Sequence, residues 1–325
     1  VERVTYADLL IRIRQAANLF RSLGVGEGDA VAFLMPNVPE THYALWGAEV
    51  AARACPINYM LRTDHIVELL RAARVKVLVG LAPNPDLEIW PKVEEIARAM
   101  PELTILAGDG PAPGADRFLD RMNDQPGDRL TFERAFGRDT PAACFHTGGT
   151  TGAPKLAQHT HGNQAHTSWS AGLMYDLTPV MVNGFPLFHV AGSFVYGLSA
   201  FAWGASLLLP TRLGYRSQAF IQDHWRVIDK LGVTMLAAVP TTMATILNVP
   251  VGAADIGRVR VLYSGGTPLP TELAAAFEKQ LGIPVRNIFG MTESAGIVTI
   301  APVHGARVPN STGLRIPYAE MKAVR

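Results

Sequence analysis

Apolar positions along this chain recur in two alternating rhythms. Leu9, Ile13, Ala16, Phe20 and Leu23 fall on one face of a helix that Thr5 caps and Gly24 ends. The unbroken apolar run at 30–35 then predicts a strand buried on both faces. The alternation continues with a helix at 40–53, a strand at 55–58, a helix opened by Thr63 or Asp64 and a strand at 75–79. A helix at 92–100 and a strand at 104–107 close this half. Residues 108–140 are rich in Gly, Pro and Asp and read as a surface connection.

Beyond the connection the rhythm resumes. It predicts helices near 163–175, at 217–231, from Thr241 and at 271–281, with strands at 233–239, 260–263 and 285–288. From Gly296 onward the chain reads as short strands and turns. Helices alternating with continuous apolar strands predict an α/β fold with parallel sheets covered on both faces. The organisation expected is a first lobe with its linker at 1–140, a second lobe at 141–295 and a distinct segment at 296–325. One stretch invites another reading: residues 190–209 carry no charge and are long enough to span a bilayer. Gly204 interrupts the run, Pro210 ends it and no basic flank anchors it, so a buried helix at 193–203 and a core strand at 205–209 are expected instead.

Composition narrows the function. With 325 residues, 48% hydrophobic and 18% charged, the chain can bury a large core. A net charge of +1 gives no electrostatic case for nucleic acid or an anionic membrane surface. Two cysteines are too few for a disulfide framework, and the opening VERVTYADLL has no signal-peptide layout, so the cytoplasm is the expected compartment.

The chemistry concentrates at 145–155, FHTGGTTGAPK. Three glycines let backbone N–H groups approach a ligand, three threonines add hydroxyl donors, and Lys155 adds a mobile positive charge. That combination suits a polyphosphate; a turn between two strands would account for the glycines alone. The Walker A spacing fits in no register. Cys144, His146, His159, His161 and His166 could converge as zinc ligands, but their spacing matches no common zinc module.

Thr147-Gly148-Gly149-Thr150-Thr151-Gly152-Ala153-Pro154-Lys155 resembles the signature of the adenylate-forming enzymes: acyl- and aryl-CoA synthetases, peptide-synthetase adenylation domains and luciferases. Gly148 replaces the usual serine and Leu156 the final glycine. Three further stretches resemble the same family, in the same order. In Pro186-Leu187-Phe188-His189-Val190-Ala191-Gly192 the histidine would border an acyl pocket, although a histidine in an apolar run is, read alone, more often a core residue. Tyr263-Ser264-Gly265-Gly266-Thr267 would line adenine. Asn287-Ile288-Phe289-Gly290-Met291-Thr292-Glu293 resembles Tyr-Gly-x-Thr-Glu, with Phe289 for the tyrosine.

The resemblance implies two doubly wound αβ lobes with the beginning of a distorted β-barrel. It implies a carboxylic acid–CoA ligase acting through an acyl-adenylate, with ATP, Mg²⁺ and CoA as ligands and a small-molecule carboxylic acid, fatty or aryl, as substrate. Lys155, Thr292 and Glu293 would be catalytic, and Glu293 would hold the metal. Thr147, Gly148, Gly149, Thr150, Thr151, Gly152, Gly265, Gly266, Thr267, Asn287, Phe289 and Gly290 would bind the nucleotide. His189, Val190 and Met291 would line the acid pocket. The alternatives are a peptide-synthetase-type adenylation domain and a non-catalytic nucleotide- or acyl-binding protein. The family's ribose-binding aspartate, hinge and small C-terminal domain have no counterpart in these 325 residues, so the polypeptide alone is expected to be weakly active at most.

Overall fold

The computed structural model describes residues 2–147, 155–172, 179–305 and 307–322. Its contacts divide into two compact units. The first is Val1–Asn163 with Leu187–His189; the second is Gln164–Pro186 with Val190–Arg325.

The first unit is built on seven strands: β1 (Ala30–Leu34), β2 (Ala54–Pro56), β3 (Val75–Leu81), β4 (Thr104–Gly108), β5 (Asp116–Arg117), β6 (Pro141–Thr147) and β7 (Lys155–Thr160). Their order is β5-β4-β3-β1-β2-β6-β7, parallel throughout except for the antiparallel β6–β7 pair. From β1 the chain steps to β2 on one side, then crosses to β3 on the other, as a doubly wound sheet does. All five residues of β1 are buried, which explains its unbroken apolar sequence. The helix Tyr6–Ser22 starts where its cap predicts. Asp8 N–H donates to Thr5 Oγ1 at 3.1 Å and Thr5 N–H to Asp8 Oδ2 at 3.2 Å, a capping box of about 1 kcal/mol.

Two expectations for this unit change. The second lobe was to begin at residue 141, but β6 pairs in parallel with β2, and both β6 and β7 complete the first sheet. Nor is 108–140 merely a surface connection. It holds β5 and the helix Phe118–Asn123, in which Phe118 and Met122 are fully buried and Phe118 stacks on Phe20. Asn18 anchors the stretch that follows, its amide donating to the Pro126 and Arg129 carbonyls. The dense Gly, Pro and Asp hid a short amphipathic helix.

The second unit carries β8 (Val180–Val182), β9 (Ser206–Leu208), β10 (Met235–Ala237), β11 (Val261–Ser264), β12 (Val285–Met291), β13 (Gly296–Ile300) and β14 (Leu314–Arg315). The order is β14-β13-β12-β11-β10-β8-β9, again doubly wound, with β8 to β12 parallel and β13 and β14 antiparallel additions. Gly296–Ile300 and Leu314–Arg315 therefore extend this sheet, and the described residues contain no closed barrel. One apolar layer gathers Trp225, Leu262 and Phe277, the other Tyr196, Met235 and Tyr263.

The helix expected over 217–231 is two helices, Gln218–Gln222 and His224–Lys230, broken at Asp223. The break lets Phe220, Trp225 and Ile228 all reach the core. The uncharged run at 190–209 forms a π-helix, Ala191–Leu198, one α-turn, Ser199–Ala202, and β9. Among the described residues no helix is long and apolar enough to cross a membrane.

Candidate active site

Parallel strands of an open α/β sheet end at a common edge, and ligands bind beyond those carboxyl ends. In the second unit β11 and β12 are parallel neighbours, with Ser264 paired to Asn287. Gly265 therefore comes alongside Ile288, and a Cβ at Gly265 would overlap the Ile288 carbonyl oxygen. Gly266 follows at φ +83°, a left-handed conformation suited to glycine. Gly265-Gly266-Thr267 and Phe289-Gly290-Met291-Thr292-Glu293 thus leave adjacent strands.

Gly290 is needed for a different reason. It pairs with Ile297 across a register shift, and a Cβ there would overlap the Gly296 carbonyl. Phe289 presents its ring 39% exposed, a face on which a flat base can stack. Thr292–Ser294 forms a 3₁₀ turn that carries Glu293 outward, and among the described residues the Glu293 carboxylate makes no hydrogen bond or ion pair. A hard, unengaged carboxylate at a strand end fits an oxygen ligand for Mg²⁺. Asn287 is less open: its side-chain amide donates to the Ser311 carbonyl at 3.1 Å, and its backbone carbonyl accepts from the Ala301 N–H.

The corresponding edge of the first unit collects β2, β6 and the Leu187–His189 segment. Thr147 ends β6 opposite Lys155, which is exposed at the start of β7. Gly148, Gly149, Thr150, Thr151 and Gly152 lie outside the described residues. Leu156, at the position of the family's last glycine, is a strand residue facing His146. Phe188 is buried between two rings, His146 at 6.4 Å and Tyr59 at 5.4 Å, the latter edge-on. The Asn58 N–H donates to His146 Nε2 at 3.1 Å. His189 is exposed, yet desolvation by its surroundings holds its imidazole below the usual histidine range. Burial, then the neighbouring His189, lowers His146 in the same way. Burial thus disfavours the charged form of both imidazoles, and the His146 ring lies against Phe188.

Of the other expected pocket residues, Val190 is buried at the head of the π-helix and Met291 is 45% exposed at the end of β12. Sequence reasoning passed over Asn58, Tyr59 and His146 as parts of this edge. The one signal for them was the position of His146 directly before the glycine-rich stretch. The histidines weighed for zinc are parted by strand register: Cys144 and His146 share a face with Gln158 and Leu156, whereas His159 lies opposite Ala143 and stacks on Phe145.

The chain is 32% identical to marinolic acid–CoA ligase of Pseudoalteromonas sp. (strain SANK 73390), over 98% of its own length and 50% of that protein's. It is 29% identical to the long-chain-fatty-acid–CoA ligase FadD13 of Mycobacterium tuberculosis (strain CDC 1551 / Oshkosh), over 90% of this chain and 56% of the relative. The fold superimposes on the anthranilate CoA ligase AuaEII, determined with anthranoyl-AMP, at a TM-score of 0.86 and 24% identity, covering 97% of this chain and 60% of that one. The chain thus spans roughly half the length of the curated relatives it matches. The profile of the AMP-binding enzyme family matches residues 1–324, and the chain belongs to that family.

Proposed function

We propose that this chain is the nucleotide- and acid-binding part of a carboxylic acid–CoA ligase working through an acyl-adenylate. The observation that carries the reading is that the Gly265-Gly266 turn and the Phe289–Glu293 stretch leave neighbouring parallel strands, with Ser264 paired to Asn287 and Gly265 against Ile288. In the first step a carboxylate oxygen bonds the α-phosphorus of ATP and the bond to pyrophosphate breaks. In the second the CoA sulfur bonds the acyl carbon and AMP leaves. Activation is needed because a carboxylate is a poor electrophile, and the protein contributes chiefly by positioning and by neutralising charge.

The residues divide accordingly. Thr147 to Gly152 and Lys155 cradle the phosphates, Gly265 to Thr267, Asn287, Phe289 and Gly290 hold the adenosine, and Thr292 bonds the α-phosphate. Glu293 would hold Mg²⁺, which when bound neutralises phosphate charge. His189, Val190 and Met291 line the acid site, which we assign to fatty or aryl acids because His189 follows the buried Phe188 ring and neighbours His146, and Val190 is buried and apolar. The two cysteines are free and buried, which favours a cytoplasmic setting.

The test is ATP–pyrophosphate exchange over a panel of fatty and aryl acids, followed by thioester formation when CoA is added. Acid-dependent exchange and acyl-CoA are expected. Exchange with amino acids alone would favour a peptide-synthetase-type domain, and nucleotide binding without exchange a non-catalytic protein.

A further inference from the structure

Leu187–His189 groups with the first unit although the residues on either side group with the second. Something in the first unit must hold this three-residue step. The ring contacts identify it. Phe188 packs against His146 at 6.4 Å with planes 30° apart, and against Tyr59 at 5.4 Å with planes perpendicular. Both are attractive arrangements of rings.

The two partners are themselves fixed. His146 accepts the Asn58 N–H through Nε2, which leaves the imidazole proton on Nδ1. Lys92 Nζ donates to the Tyr59 carbonyl at 2.8 Å and to the Leu61 carbonyl at 2.7 Å, and the Met60 N–H donates to Asn58 Oδ1 at 2.9 Å. The turn after β2 and the end of β6 therefore form a rigid seat for Phe188. We propose that His146 is the positioning residue for His189, fixing it by clamping Phe188 between the ends of β2 and β6. The proposal rests on His189 being a wall of the acid site. It adds that the wall is set by the strand that leads directly into the glycine-rich stretch.

Two variants separate ring packing from the rest of His146. His146→Ala removes the ring and the acceptor; His146→Phe restores only the ring. The readout is amide hydrogen exchange at Phe188, His189 and Val190, with the ring ¹³C resonances of labelled histidine. In His146→Ala these amides should exchange about tenfold faster while β1 and β3 keep their protection, and His146→Phe should return them to within about twofold of the parent chain. The His189 ring resonance should move in His146→Ala and return most of the way in His146→Phe.

Exchange within about twofold of the parent in His146→Ala, or no rescue by phenylalanine, would overturn the proposal. If His146→Ala fails to fold, Phe188→Ala tests the same clamp from its other side, with the same rise expected at His189. Thermal shifts with benzoate and octanoate on His189→Ala keep the two ideas apart. Shifts equal to the parent's would remove the acid-site role of His189, while exchange alone decides the clamp.

Discussion

At the carboxyl edge of the first sheet, β2 and β6 end in side chains: Asn58, Tyr59 and His146, with Phe188 packed among them. At the carboxyl edge of the second, β11 and β12 end in backbone: Gly265 against Ile288, Gly290 against Gly296, and one outward carboxylate, Glu293. The same parallel geometry thus yields a neutral aromatic seat in one unit and a glycine cradle with a hard oxygen ligand in the other. A seat made of side chains can be retuned by substitution, since rings of similar size replace one another. A cradle made of close backbone approaches cannot, because any Cβ lands on a carbonyl.

The largest expected effect exploits that asymmetry. Gly290→Ala should destabilise the protein by about 3 kcal/mol or more, because strand β13 leaves no room for a methyl group. Urea unfolding checks it; a loss under about 0.5 kcal/mol would mean that the β12–β13 pair yields easily.

Next comes acid sensitivity, which both units share. His42 in the first and His224 in the second are buried, and burial depresses each imidazole to about 4. A folded value below the unfolded one means that the unfolded chain binds the extra proton. The stability contributed by each neutral ring is complete above about 6.5 and is lost as pH falls toward about 4, by about 3 kcal/mol per histidine. His42 accepts the Trp46 indole N–H at 3.3 Å, a bond that protonation removes. His224 sits among Tyr215, Phe220 and Trp225 with neither ring nitrogen hydrogen-bonded among the described residues. His224→Phe should therefore cost little at pH 7 and flatten part of the pH dependence between 6.5 and 4. Urea midpoints at several pH values would show it, and an unchanged slope would rule out a neutral buried His224.

Smaller and more specific is Glu293→Gln. The side chain is exposed, so stability should change by less than about 0.5 kcal/mol. MgATP affinity should fall at least about tenfold while AMP affinity holds. Equal small losses for both nucleotides would take the metal role away. His189→Ala should leave ATP affinity within about twofold and change the ratio of octanoate to benzoate binding by about tenfold. Joint loss of acid and nucleotide binding, or unfolding, would leave His189 a structural role only.

The alternation of helices with unbroken apolar strands was enough to read two parallel sheets, because a strand buried on both faces leaves a period-free apolar run. The cap at Thr5 and the helix Thr271–Leu281 were readable for similarly local reasons: a capping box at one end of the first, and Gly282 in the left-handed conformation after the second. The need for glycine at 265, 266 and 290 was legible in part, since close approaches and left-handed conformations depend on residue type.

Pairing between distant segments was not legible. That β6 joins the first sheet, that 118–123 is a buried helix, and that Asp223 breaks a helix all depend on which surfaces meet. The His146–Phe188–Tyr59 cluster joins residues from three separate stretches, and no local pattern marks them as neighbours. The sequence by itself determined the strand and helix periods and the chemistry of the turns, because both are set within a few residues. Only the tertiary structure decided which strand ends lie side by side, because strand order is set by burial across the whole sheet.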